Sequence, residues 1–194
     1  MDYIFPIIIF IFSVIIHEVS HGFAAYYQGD NTAKYAGRLT LNPIPHIDIL
    51  GSIILPLGLI LVNSPMVIGW AKPVPFNPKW GEALVAIAGP LSNILLAIIF
   101  GLFLRFGLFA SLSEPFAYIV FINLVLAVFN LVPIPPLDGS KILFSVLPYS
   151  MRNIRETMEK AGFFILIIFI LTLWDEVFPL VLYLFSLITG VGLV

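Results

Sequence analysis

The run from Ile4 to Tyr27 constrains this chain more than any other stretch, because it is apolar enough for the middle of a bilayer yet holds His17, Glu18 and His21. Each of these side chains is costly in hydrocarbon unless it is paired or bound to a cation. Read as one helix, the run puts residues four apart on one face. His17 and His21 can then present imidazole nitrogens to one cation, with Glu18 beside it and free of it. His17-Glu18-Val19-Ser20-His21 is therefore an H-E-x-x-H pattern, two zinc ligands and a general base. On a solvated surface helix the same five residues would say little. Inside an apolar helix a metal site accounts for them, and the competing account is a polar pore or proton-relay lining.

The remainder of the chain is equally apolar. Of 194 residues 60% are hydrophobic and 10% charged, and the mean hydropathy of +1.08 lies far above that of soluble domains. An all-α integral membrane protein is expected, with residues 1–194 forming a single polytopic membrane domain and no appended soluble module. A net charge of −2 with scattered Lys and Arg gives no basic patch for nucleic acid. There is no cysteine, so a transition metal must be held by histidine and carboxylate. Met1-Asp2-Tyr3 lacks the positive segment that opens a secretory signal, and the first helix is expected to be retained. No feature of the sequence specifies an oligomeric state.

Further along, Ile47 to Val62 is broken by Gly51, Pro56 and Gly58 and is barely long enough to cross. Ala83 to Leu104 is a clear span carrying Gly89-Pro90-Leu91-Ser92-Asn93, in which small residues permit close helix contact and Asn93 needs a partner. Phe116 to Val132 carries Asn123 and Asn130 and is ended by Pro133, Pro135 and Pro136. Lys141 to Lys160 is mixed and basic, fit for a short interfacial helix. Met158 to Trp174 and Val177 to Leu193 flank Asp175-Glu176 and read as a helical hairpin. Two proline-rich connections, Gln28 to His46 and Asn63 to Gly81, are expected to be extended, and Trp70 and Trp80 suit a membrane interface.

Lys and Arg favour the cytoplasmic side. If Ile47 to Val62 re-enters, Lys34, Arg38, Lys72, Lys79, Lys141, Arg152, Arg155 and Lys160 share one side, eight against Arg105 alone. If it spans, the division is three against six. The first arrangement is preferred: about five transmembrane helices, one re-entrant or interfacial segment, and the C-terminus in the cytoplasm. His17 then lies roughly 20 Å along the first helix, about 10 Å short of the cytoplasmic edge of a ~30 Å core. The proline-broken segment Pro133 to Gly139 reaches the same half, and irregular backbone at that depth must line a cavity or be buried in protein.

A catalytic zinc takes three protein ligands and leaves one position for water. Glu114, Asp175 and Glu176 fall on the outer side in this topology, and Glu82 sits at a solvated boundary. Asp138 is the favoured third ligand, because Gly139 lets the chain turn closely past a cation. Asp48 and His46 remain as alternatives, and Asp48 also reads as a helix cap.

Taken together, the H-E-x-x-H helix, the Asn42-Pro43 to Gly51 loop, the Gly69 to Pro78 loop, Ala88 to Asn93 and Asn130 to Gly139 resemble the site-2 proteases, intramembrane zinc metalloproteases. The resemblance covers most of the chain. It implies one Zn2+ per chain held by His17, His21 and Asp138, Glu18 as catalytic base, and Asn130 near the substrate or its oxyanion. It also implies a transmembrane protein or peptide as substrate and a prokaryotic plasma or inner membrane as location. The chain looks like a short form without the PDZ domain of some relatives. Relatives cut membrane-bound regulators after a first protease has trimmed the outside. The rival class is a divalent-metal transporter or channel using the same histidines. The loops around Asn42 to His46 and Lys72 to Pro78 are expected either to hold an unwound substrate as an added strand or to act as proline-stiffened interfacial loops.

Overall fold

The computed structural model describes residues 4–62, 69–77 and 81–191, so the readings attached to Lys79 and Trp80 lie outside it. Among the described residues every regular element is helical. In chain order these are α1 (Ile4–Tyr27), α2 (Thr32–Tyr35), α3 (Leu55–Leu61), α4 (Glu82–Arg105), α5 (Ser113–Asn130), α6 (Asp138–Val146), α7 (Arg152–Thr172) and α8 (Trp174–Thr189). Three helices, covering Phe5–Tyr27, Glu82–Arg105 and Ala110–Asn130, are long and apolar enough to cross a membrane. The chain is a multi-pass membrane protein.

In α1 every fourth residue from Ile9 through Ser13, His17 and His21 to Ala25 is buried. The opposite side exposes Ile7, Ile8, Phe10, Ile11 and Phe12, a surface that suits lipid. The buried stripe faces α4 and α5. α4 is the central helix and touches α1, α5, α6 and α8. Lipid tails are as apolar as leucine, so close packing and interhelical hydrogen bonds hold such helices together, the latter worth about 0.6–2 kcal/mol each. Small residues on α4 permit the approach: at Gly101 a Cβ would lie 2.3 Å from Ile188 Cγ2 of α8. Ala97, Val120, Leu124, Val181 and Phe185 form the core between α4, α5 and α8.

The expected hairpin of two full spans is not what forms. α7 and α8 meet with a bend of 70°, a broken span or a re-entrant pair, so by length and composition the described residues supply three spans, or four with this pair, against the expected count of about five. Charge placement is the reason. Arg152, Arg155, Glu156, Glu159 and Lys160 occupy the opening turns of α7, which leaves Ala161 to Thr172, about 18 Å of apolar helix against a ~30 Å core. The basic region expected to hold one interfacial helix is divided between α6 and the start of α7. Ile47 to Val62 forms a π-helical turn, Ile49–Ile54, that runs into α3. Thirteen residues of helix span about 20 Å, shorter than a crossing.

The end of α1 and the start of α4 share one end of the bundle, where a Cβ on Gly81 would lie 2.3 Å from Gln28 Oε1. Arg155 pairs there with Glu82 at 3.2 Å. Arg105 sits at the far end of α4 and donates to the Leu187 carbonyl at 2.7 Å.

Candidate metal centre

His17 and His21 project from the buried stripe of α1 toward Asp138, the first residue of α6. His17 Nε2 is 3.0 Å from Asp138 Oδ2, His21 Nε2 is 3.1 Å from it, and the two nitrogens are 3.1 Å apart. All three side chains are buried. The proline-broken segment after α5 delivers Asp138 to this depth. Gly139 lets it do so: a Cβ there would stand 2.2 Å from the Leu131 carbonyl oxygen and 2.5 Å from that of Val132. Asp138 Oδ1 is occupied by Lys141 Nζ at 3.0 Å, which leaves Oδ2 to the cluster.

Hydrogen bonds behind the histidines decide where their protons are. The Val85 carbonyl can only accept, so His21 Nδ1, 2.7 Å away, must donate. A longer chain of inference fixes His17. Asn123 Nδ2 donates to the Ile119 carbonyl at 2.8 Å and to Ser13 Oγ at 2.9 Å, which turns its Oδ1 toward Asn93. Asn93 Nδ2 donates to that oxygen at 2.8 Å and faces the Ser13 carbonyl at 3.4 Å. Asn93 Oδ1 therefore faces His17 Nδ1 at 2.6 Å, and His17 donates from that nitrogen. In the neutral imidazoles both Nε2 atoms then carry lone pairs. Two such lone pairs and the Asp138 carboxylate oxygen meet at one point, an arrangement that calls for a shared proton or a metal cation among them.

The donor set fits zinc. Bonds of about 2.0–2.1 Å in a tetrahedron set neighbouring ligand atoms about 3.3 Å apart, within a few tenths of an ångström of the distances found. Space for the ion comes from Gly89 of α4, where a Cβ would stand 2.4 Å from His21 Nε2 and 2.6 Å from His17 Nε2. The next residue, Pro90, cannot donate to the carbonyl four residues back, and so interrupts the helix ladder beside the Val85 carbonyl that holds His21.

The other candidates lie elsewhere. Asp48 is a cap: its Oδ1 accepts from Gly51 N at 2.7 Å. His46 is buried with Nε2 donating to the Thr40 carbonyl at 2.9 Å. Neither belongs to the donor cluster, which comprises His17, His21 and Asp138. Asn130 Nδ2 donates one of its two hydrogens to the Leu126 carbonyl of its own helix at 2.9 Å. Glu18 is half-buried, and its Oε2 accepts the Val74 backbone N–H at 2.8 Å. The reading of the sequence missed Ser13, Asn123 as a relay member, and the Val85 and Val74 backbone groups. A signal existed for the first, since Ser13, His17 and His21 repeat at four residues. The backbone groups leave none.

The extended segment 69–77 carries no regular strand. Its inward amides are used: Trp70 N donates to the Gly51 carbonyl at 3.1 Å, Lys72 N to that of His46 at 2.9 Å, and Val74 N to Glu18. The alternate positions 73 and 75 are prolines without an N–H. That outer edge is blunted for strand pairing, which favours the stiffened-loop reading over an added strand here.

The model of Peptidase family M50 matches residues 107–173. YwhC of Bacillus subtilis (strain 168), whose name assigns it provisionally to the zinc metalloproteases, is 38% identical over 182 residues, 86% of this chain and 80% of that protein. Rip2 of Mycobacterium tuberculosis (strain ATCC 25618 / H37Rv), provisionally named in the same way, is 32% identical over 90% of this chain and 70% of its own length. Rip2 of Mycolicibacterium smegmatis (strain ATCC 700084 / mc(2)155) is 30% identical over 82% of this chain, which spans 64% of that relative. No solved structure matches. Likeness along nearly the whole chain, with the motifs that drew the first comparison, means that this protein belongs to peptidase family M50, the site-2 proteases.

Proposed function

We propose that the chain is a zinc metalloendopeptidase that hydrolyses a peptide bond in or near a transmembrane segment of a membrane-bound protein. The observation that carries this reading is the convergence of three lone-pair donors, with both histidine Nδ1 atoms already committed, around the gap left by Gly89. His17, His21 and Asp138 would hold the ion, one per chain. When bound, zinc brings the pKa of its water toward neutrality and polarises the scissile carbonyl. Glu18, anchored through Oε2, takes the water proton at Oε1 and returns it to the leaving amine. The apolar wall of α1 and α4 strengthens these interactions by excluding water.

A membrane-spanning substrate is helical and its carbonyls are internally bonded, so it must unwind locally before it can react. Asn130 serves as a substrate or oxyanion group once its amide rotates away from the Leu126 carbonyl. The substrate class extends to membrane-anchored regulators cut in regulated proteolysis, a reading supported by the resemblance to the site-2 proteases. The site faces the cytoplasmic half of a prokaryotic plasma or inner membrane. This is supported by Lys141 and Arg155 at the Asp138 and Glu82 end of the bundle, with Arg105 at the other.

The test is Glu18→Gln in purified protein. It should keep one zinc per chain and lose cleavage of a model transmembrane substrate by at least about 100-fold. Cleavage at the wild-type rate would remove Glu18 as base. Zinc flux into vesicles without any cleavage would favour the transporter class.

A further inference from the structure

Outside the metal cluster, Arg38 is the charged group least explained by the fold. It lies in the connection after α2 and is only 5% exposed. Its Nη2 donates to the Lys72 carbonyl and to the Pro73 carbonyl, the latter at 3.3 Å. Its Nε is buried with no hydrogen-bond partner among the described residues. Burying a guanidinium with a donor unpaired is expensive, and a loop that needed only packing would be served better by an apolar residue.

What Arg38 grips is the stretch that touches Glu18. In Pro73-Val74-Pro75 both prolines lack an N–H, so Val74 has the one backbone donor of the three. That donor lands on Glu18 Oε2 at 2.8 Å. The Val74 side chain is buried beside Gly22, where a Cβ would meet Val74 Cγ1 at 3.0 Å and Leu39 Cδ2 at 2.6 Å. The segment is pinned on either side of Val74, by Lys72 N on the His46 carbonyl and by Asn77 N on the Asp30 carboxylate.

We propose that Arg38 is a positioning residue for the peptidase reaction: by holding the Lys72 and Pro73 carbonyls it aims the Val74 N–H at Glu18 Oε2 and keeps that carboxylate in register with the metal cluster. The inference rests on Glu18 being the general base. It assigns the prolines a purpose, since fixed φ angles and absent donors leave the strap one way to present its amide.

The experiment compares the zinc-loaded full chain, Arg38→Lys, Arg38→Met and Glu18→Gln, reading zinc per chain, kcat and KM on a model transmembrane substrate. Arg38→Met is expected to keep its zinc and to hold KM within about twofold, while kcat falls about 100-fold, the cost of misplacing a reacting group by about 1 Å. Arg38→Lys should recover part of kcat, because an ammonium reaches a carbonyl but lacks the planar fork. If Arg38→Met fails to fold, Arg38→Lys decides: a kcat about 10-fold lower at unchanged KM and zinc supports the proposal, and wild-type kcat overturns it. A kcat within about threefold of wild type in folded Arg38→Met, or a fall that tracks loss of zinc, also overturns it. Glu18→Gln separates the two readings. Full activity there sinks the base assignment, whereas an inactive Glu18→Gln beside fully active Arg38 variants sinks only the positioning role.

Discussion

Gly89→Ala would place a methyl group where the metal must sit. The Cβ would lie 2.4 Å from His21 Nε2, 2.6 Å from His17 Nε2 and 2.6 Å from His21 Cε1. Ordinary non-bonded contact is about 3.5 Å or more, so each imidazole must retreat by about 1 Å. Zinc bonds tolerate about 0.2 Å of error, and neither histidine can retreat that far and still ligate. Disturbing groups behind a ligand already costs 10–100-fold in affinity. Displacing two ligands directly should therefore cost at least about 100-fold, or about 2.7 kcal/mol. The assay is elemental zinc per purified chain, with competition against a chromophoric chelator. Gly101→Ala is the control on the same helix, about 18 Å away. Its Cβ would meet the tip of Ile188 at 2.3 Å, so it should lower Tm through overpacking yet keep its zinc. Wild-type zinc affinity in a folded Gly89→Ala protein would refute the placement of the ion beside Gly89.

Asn123→Leu removes the amide that orients Asn93, and should lower zinc affinity 10–100-fold and destabilise the bundle by about 1–3 kcal/mol; unchanged affinity would show that the relay does not set the His17 tautomer. Chelation should lower Tm by more in wild type than in His21→Ala, because only the intact cluster of His17, His21 and Asp138 has bound-metal stabilisation to lose; an equal shift in both would count against these residues as the ligands. Burial pushes the Asp30 carboxyl up, but the Thr32 hydroxyl and the Asn77 and Thr32 amides bring it below its ordinary value of 3.8. A depressed folded value means stability present above the unfolded pKa and lost as pH falls through the folded one. Asp30→Asn should thus lower Tm near neutral pH, and thermal scans of the two proteins should converge as the pH falls below the ordinary carboxylate range and through the folded value; a gap that persists in strong acid would reject this linkage.

Much of this was legible locally. α1, α4 and α5 announce themselves as apolar runs because each must satisfy its backbone internally in lipid, and a helix of that composition has no alternative. The His17 and His21 pair is a property of helical spacing alone. The same legibility failed at α7 and α8. Hydropathy counts apolar residues, but the charged opening turns of α7 shorten its apolar length, and its path depends on Gly162, where a Cβ would meet Pro135 Cβ and its carbonyl oxygen at 2.7 Å. That contact joins residues distant in the chain, and no window along the sequence contains it.

The third ligand marks the boundary between the two kinds of information. Asp48 and Asp138 both follow or precede broken backbone, and their local sequences argue for either. The choice is made by folding. Asp48 turns back to cap its own Gly51 amide, whereas Asp138 is carried to His17 and His21 across 121 and 117 residues of chain. The sequence by itself determined a membrane-embedded H-E-x-x-H helix short of one ligand, because helical period and the cost of charge in lipid are local physics. Only the tertiary structure brings Asp138 to the two histidines, the Val74 N–H to Glu18 and Gly89 against both imidazoles, because those meetings depend on how separate helices and loops pack.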